Sequence, residues 1–311
     1  MNINNTVYQG DTIELIKNIS DDTIGLILSD IPYGISYDDW DVLHDNSNSA
    51  LGGASQAQKQ HGKVFQRRGK PLNGWSEADK NRAKEYQDWV SNWASEWFRV
   101  LKTGSSCFIF AGRQNQHRVI VALEDVGFTL RDVLSWEKNK APHRAQRLSK
   151  VFERRGDTDN MEYFDGWRLG NLRPIHEPIL WFQKPYKIGT TLTDNMLSHG
   201  VGAWNEKALF KFNIHNDGKL KQSSNILKVK DHPFDKHRIH PTQKPINLLR
   251  LLIELTTFEN EKVLDPFAGS GSTIIASMLS NRQAIGFEMN DGYIQGFNNL
   301  KKQITETKEN V

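Results

Sequence analysis

Val263-Leu264-Asp265-Pro266-Phe267-Ala268-Gly269-Ser270-Gly271-Ser272-Thr273 is the stretch on which the reading of this chain turns. An apolar start, two glycines and the apolar positions Ile274, Ile275, Met278 and Leu279 predict strand, tight turn and helix. Glycines let a ligand approach the backbone closely, and the helix start behind them offers unpaired N–H groups. Such a turn suits a dinucleotide, a nucleoside triphosphate or S-adenosylmethionine. No lysine follows Gly271, so this is not a P-loop. Ile274 stands where the dinucleotide fingerprint has its third glycine. Further on, Ala284-Ile285-Gly286-Phe287 ends in Glu288, an acid at the end of a second strand, where a ribose is usually held.

A second motif lies near the other end of the chain. Leu26-Ile27-Leu28-Ser29-Asp30-Ile31-Pro32-Tyr33-Gly34 is an apolar strand that breaks into an acid, a proline and a tyrosine, and His240-Pro241-Thr242-Gln243-Lys244-Pro245 precedes the glycine turn. Together the three stretches resemble the amino-methyltransferases of DNA, whose Asp-Pro-Pro-Tyr and Phe-x-Gly-x-Gly motifs match Asp30 to Tyr33 and Phe267 to Gly271. The catalytic motif comes first and the cofactor motif last, which is the order of the beta group. The resemblance implies an α/β fold, a doubly wound, mostly parallel Rossmann-like sheet with an inserted target-recognition region. It implies S-adenosyl-L-methionine as methyl donor, S-adenosyl-L-homocysteine as product, no metal, and double-stranded DNA as partner. A homodimer and a cognate restriction endonuclease are left open.

Residue by residue, the resemblance assigns catalysis to Asp30, Ile31, Pro32 and Tyr33. It assigns the cofactor to Asp11, Asp30, His240, Thr242, Asp265, Phe267, Ala268, Gly269, Ser270, Gly271, Thr273 and Glu288. Ile31 departs from the pattern, standing where the family usually has its first proline. The role implied there is a backbone carbonyl, which any residue supplies.

Composition sets wide bounds. The 311 residues suffice for one large α/β domain with an elaboration, and an apolar content of 37% suffices for its core. A net charge of +3 is mild, so a phosphate-binding surface has to come from local clustering. The single Cys107 cannot make an internal disulfide and sits in an apolar run, which fits a buried thiol in a reducing cytoplasm. No signal peptide and no apolar run near the ~18 residues of a membrane span is read in the chain, so a soluble cytoplasmic protein without membrane contact is expected.

In chain order, Thr6 to Tyr8 predicts a strand ending at Asp11, and Thr12 to Ile19 a helix. Asp11 is equally suited to cap that helix and to lie beside a cofactor. From Asp38 to Lys84 apolar periodicity is lost among Asn, Ser, Gly, Gln and Lys, which predicts a mobile polar loop. Tyr86, Val90, Trp93, Trp97 and Leu101 describe one face of a helix ended by Gly104, and this aromatic stripe reads as core. Strand Ser106 to Ala111, helix Gln114 to Val126 and strand Thr129 to Trp136 continue an alternation that argues for a parallel sheet.

Between Glu137 and Arg155, seven basic residues face only Glu137 and Glu153. Lys138, Lys140, Arg144 and Arg147 are read as contacts to DNA phosphates. A strand Glu177 to Phe182 follows the stretch Asn171 to Pro178, which is similar to one common in the family. Lys184 to His237 shows little periodicity. His232, His237 and His240 lack a cysteine or a tight pair of ligands and are not read as a metal site. Residues 1–136 are thus expected to form the catalytic half, 137–238 the recognition region and 239–311 the cofactor half. The two termini are expected to be neighbours.

An exocyclic amino nitrogen is a poor nucleophile because its lone pair is delocalised into the ring. Asp30 and the Ile31 carbonyl suit acceptors that favour a pyramidal nitrogen, and Tyr33 an aromatic face for the base. Adenine-N6 members of the family usually carry Asp or Asn at the first motif position, and cytosine-N4 members Ser. Pro32 and Tyr33 set the register in which Asp30, not Ser29, holds that position. The resemblance therefore implies adenine N6, with cytosine N4 as the alternative in the same architecture. A silent nucleic-acid-binding protein is disfavoured by the intact Asp30, Pro32 and Tyr33.

Overall fold

The computed structural model describes residues 1, 3–33, 77–139, 141, 145–214, 223–236 and 243–309. His240, Thr242, Lys140, Arg144 and residues 38–76 of the loop expected over 38–84 lie outside them.

Strand β2 (Ile24–Asp30) is buried along all but its last residue, as a strand covered on both faces must be. Its alternate side chains divide the core. Leu26 and Leu28 pack on one face with helices α8 (Ile246–Thr256), α9 (Ser272–Leu279) and α10 (Asp291–Glu309). Ile27 faces the other way, against α2 (Glu77–Val100) and α3 (Gln116–Val126). Helices on both faces make the doubly wound sheet that the alternation predicts. Among the described helices none is long and apolar enough to cross a membrane.

Among the described residues the sheet has eight strands. The remaining ones are β1 (Thr6–Gln9), β3 (Leu101–Phe110), β4 (Thr129–Glu137), β7 (His176–Gln183), β8 (Ile226–Leu227), β9 (Lys262–Asp265) and β10 (Gln283–Glu288). Their order is β1-β10-β9-β2-β3-β7-β4-β8, with only β7 antiparallel to its neighbours. Strand β9 pairs with β2 through Val263 opposite Leu26 and Leu264 opposite Ile27. From β9 the chain proceeds outward one way, and from β2 it proceeds the other way. The order therefore reverses between these two strands, and a crevice opens at the carboxyl ends where Asp30 and Asp265 stand.

Strand β1 closes the edge against β10, and the Lys301 ammonium donates to the Asn5 carbonyl at 2.7 Å. The N-terminal strand and the C-terminal helix are neighbours, as expected.

Four expectations change. Helix α2 begins at Glu77, so residues 77–84 leave the expected polar loop. It stops at Val100 rather than at Gly104, and Leu101 already starts β3. The reason is that the N–H groups of Asp22 and Thr23 bond the carbonyls of Arg99 and Val100, satisfying the helix end without a glycine cap. The helix expected over Thr12 to Ile19 divides into α1 (Thr12–Leu15) and a 3₁₀ turn over Ile16–Asn18. The weakly periodic 184–237 segment still holds α6 (Leu192–His199) and α7 (Glu206–Phe212), which are short and capped locally by Thr191 with Asp194 and by Asn205.

Within 137–238, β7 lies between β3 and β4 in the central sheet, with Leu180 and Phe182 fully buried. Outside the sheet, residues 145–175 form a small unit. It contains α4 (Leu148–Glu153), α5 (Thr158–Tyr163) and the two-stranded ribbon β5 (Gln146–Arg147) with β6 (Arg168–Leu169).

Candidate active site

The crevice at the strand ends is a cavity of about 630 Å³, within the usual range for small-molecule sites. Asp11, Asp30, Pro32, Asp265, Phe267, Ala268, Gly269, Ser270, Thr273 and Glu288 line it, bringing together most residues assigned from the sequence. Asp11 does both things open to it: it stands on the wall and caps α1, accepting the Ile13 N–H at 2.7 Å.

The glycines of the turn have different reasons to be glycine. Gly269 has φ +51, and an added Cβ would meet nothing within 4 Å, because it would project into open space. Gly271 has φ +74, and there a Cβ would lie 2.2 Å from the ring of Phe297, a core residue of α10. Gly271 is not on the cavity wall, so packing explains it better than approach to a ligand.

Glu288 ties the two strand ends together. Its carboxylate accepts the Gly269 N–H at 2.9 Å and the Asn290 N–H at 2.7 Å. Burial raises its pKa, and these backbone donors oppose the rise. Asp265 is wholly buried, and burial pushes it up to about 6 against hydrogen bonds from Ser29, Thr273 and the Phe267 N–H. The Ser29 hydroxyl donates to it at 2.6 Å, and Ser29 is itself buried. Trp89, Trp93 and Trp97 surround the ring of Phe267 at centroid distances of 5.7, 5.9 and 6.1 Å. The aromatic stripe of α2 is thus core, and Trp89 and Trp93 also reach the cavity. On this wall the Thr12 hydroxyl and the Trp93 indole N–H have no hydrogen-bond partner among the described residues.

At the other end of the cavity Asp30 stands at the last position of β2. Its Oδ1 accepts the Tyr33 hydroxyl at 3.0 Å, and its Oδ2 accepts the Lys244 ammonium. The turn after it is held from outside. The Pro32 carbonyl accepts the Tyr86 hydroxyl at 2.7 Å and the Tyr33 carbonyl accepts the Asn115 amide at 2.9 Å. The Ile31 side chain is buried in the core on the α2 side.

Two charged residues here, Lys244 and Glu177, were not assigned from the sequence. Lys244 pairs with Glu177 at 3.1 Å as well as with Asp30. Glu177, from β7, lies 2.5 Å from the Tyr33 hydroxyl, whose single proton is shared between it and Asp30, and pairs with Lys138. Lys138 therefore turns inward, its ammonium 5.3 Å from the Trp136 ring centroid, rather than standing free for phosphate. Of the residues read as phosphate contacts, only Arg147 is both described and exposed. The signals available were Lys244 within the third motif and Glu177 within the stretch Asn171 to Pro178.

The charges shift one another. Burial raises Asp30, with Lys244 opposing and Glu177 adding to the rise. Burial also raises Glu177, but Lys244 and Lys138 outweigh it and bring the carboxyl down to about 2. For Lys244, burial disfavours the charge and the two carboxylates more than restore it. Tyr33 is pushed well up by burial and by both carboxylates. A partly buried carboxyl thus faces a cavity roomy enough for a ligand, and its two donors, Tyr33 and Lys244, come from separate parts of the chain.

Comparison with known proteins places this geometry. Residues 24–299 match a family model described as DNA methylase. The chain is 61% identical over 286 residues to the type II methyltransferase M.HindIII of Haemophilus influenzae, covering 92% of this chain and 91% of that one. It is 27% identical over 308 residues to the type II methyltransferase M.HinfI of the same species, covering 98% and 70%. Two solved structures share the fold. One is the cytosine-N4-specific PvuII DNA methyltransferase, with TM-score 0.60, 16% identity and coverage of 97% and 90%. The other is a putative DNA modification methylase from Thermus thermophilus complexed with S-adenosyl-L-methionine, with TM-score 0.55, 17% identity and coverage of 96% and 93%.

Proposed function

Because this chain belongs to the DNA methylase family of N6 and N4 amino-methyltransferases, we propose that it methylates the N6 of adenine at a specific site in double-stranded DNA. One observation carries the choice of atom. Asp30 is on the cavity wall, whereas the Ser29 hydroxyl is spent on Asp265 inside the core. This supports the register in which Asp30 holds the first motif position, where the family's adenine enzymes usually have an acid or its amide.

S-adenosylmethionine fits the cavity at the glycine turn, with Glu288 placed for the ribose, Asp11 at the adenine edge and Phe267 and Asp265 on the wall. When bound, this co-substrate supplies an electrophilic sulfonium methyl, which requires no metal.

The residues of the chain act on the base. Asp30 accepts one amino N–H and the Ile31 carbonyl the other, which localises the nitrogen lone pair as the amine becomes pyramidal. Pro32 fixes the turn and Tyr33 offers a ring face. The nitrogen lone pair would form the N–C bond as the sulfonium S–C bond breaks with its electron pair left on sulfur, S-adenosylhomocysteine being the leaving group, and the proton shed from nitrogen passes toward Asp30 and solvent. A paired base cannot reach this crevice, so the adenine is flipped out of the duplex. The 145–175 unit, with exposed Trp167, Leu172 and Arg147, is the surface for DNA. Identity to a type II methyltransferase supports a place in a restriction–modification pair.

The test is to express the protein, digest the host DNA to nucleosides and weigh them. N6-methyladenine is expected. N4-methylcytosine as the sole product would refute the atom assignment and leave the methyltransferase standing. Asp30→Ala should lose methyl transfer by several orders of magnitude while still binding S-adenosylhomocysteine, since the glycine turn lies on other strands.

A further inference from the structure

Lys244 is a buried ammonium placed between two carboxylates. Its side chain is 6% exposed, and it donates to Asp30 Oδ2 and, at 3.2 Å, to the Tyr33 hydroxyl. It also pairs with Glu177 Oε1 and lies 5.1 Å from the Phe110 ring centroid. Behind Glu177 stands Lys138, so the charges alternate along one line, Asp30, Lys244, Glu177, Lys138, of which the middle two are buried. Burying such ions is costly, and apolar residues of the same volume often stabilise a fold as well or better. Stability is therefore a weak reason for Lys244 to be here, and its contact with the reacting carboxylate is the stronger one.

We propose that Lys244, anchored by Glu177, is a positioning residue that keeps Asp30 ionised and fixes the plane of its carboxylate toward the amino group of the base. The proposal rests on the reading of Asp30 as the amino-group acceptor. Both Asp30 oxygens are already held, one by Tyr33 and one by Lys244, and each keeps a lone pair for an incoming N–H. A protonated Asp30 would present a hydroxyl donor against the amino donors of the base. Burial favours that unproductive form, and the Lys244 charge opposes it. Glu177 acts in two ways: its charge repels Asp30, while its second contact holds the ammonium within reach. The charged and titratable groups facing Asp30 are Tyr33 from the following turn, Lys244 from the segment before α8, Glu177 from β7 and, behind Ser29, Asp265 from β9.

The experiment measures methyl transfer by the full chain against pH, on DNA that the wild type modifies. Transfer falls on the acid side as Asp30 takes a proton. Lys244→Met should move that limb upward by about 1 to 3 pH units and lower kcat by up to about 100-fold, with S-adenosylhomocysteine binding kept. Lys244→Arg, which retains a cation, should leave the limb where the wild type has it. Glu177→Gln removes a repelling charge and should move the limb downward, opposite to Lys244→Met. A purely structural role would lower the melting temperature of these variants without displacing the limb in either direction, and that result overturns the proposal. If Lys244→Met fails to fold, Lys244→Gln decides: an unmoved limb overturns it. Full activity in Asp30→Ala would instead overturn the acceptor reading itself.

Discussion

Gly269→Ala and Gly271→Ala, two methyl groups added two residues apart, should injure this protein in different ways. At Gly269 the backbone has φ +51 and a Cβ would meet no atom within 4 Å. The cost to folding is then only left-handed strain, about 1 kcal/mol, a fall in Tm of roughly 2–4 °C. The methyl group projects into open space beside the cavity, so the greater loss is in cofactor affinity. At Gly271 similar strain, with φ +74, is joined by a Cβ 2.2 Å from Cδ2 and 2.8 Å from Cγ of Phe297. That ring is 1% exposed and cannot swing to solvent. Overpacking adds about 1–3 kcal/mol, so the total is about 2–4 kcal/mol and Tm falls by roughly 4–16 °C. Thermal melting without ligand, together with calorimetric titration of S-adenosylhomocysteine, separates the two. The reasoning is refuted if Gly269→Ala binds like the wild type, or if Gly271→Ala keeps its Tm and loses only binding.

Asp265 carries a pH signature. Its pKa rises from 3.8 to about 6 on folding, so the folded state holds the proton more tightly. Stability from this group is present below about pH 4 and is lost as pH rises through 6, by about 3 kcal/mol. In urea unfolding between pH 4 and 7, Asp265→Asn should gain on the wild type as pH rises, and parallel curves would contradict the shift. Arg147→Ala should weaken DNA binding almost equally across sequences and reduce the salt slope by about 1, with the acid limb of methyl transfer in place. An unchanged slope would make Arg147 merely a solvated residue.

The strand–turn–helix at Val263 to Thr273, the helices of the doubly wound sheet and the end of a strand at Asp30 were all legible because each is a local pattern. Periodicity over a few residues states which face is buried, and proline with tyrosine states where a strand ends. Charge was less legible. Lys138 lies in a basic run that reads as solvent-facing, but β4 ends at Glu137 and delivers it to Glu177. The helix stop at Val100 was hidden for a related reason, since the N–H groups that satisfy it come from Asp22 and Thr23.

The sequence by itself determined the fold class, the cofactor turn and the acid at the end of β2. Each follows from hydrophobic spacing and backbone chemistry within one segment. Only the tertiary structure decided what surrounds that acid. Tyr33, Lys244 and Glu177 come from a turn, a segment before α8 and the one antiparallel strand of the sheet. Whether a lysine is a solvated charge or a buried partner depends on which carboxylates the packed strands bring within about 4 Å of it, and sequence separation does not carry that distance.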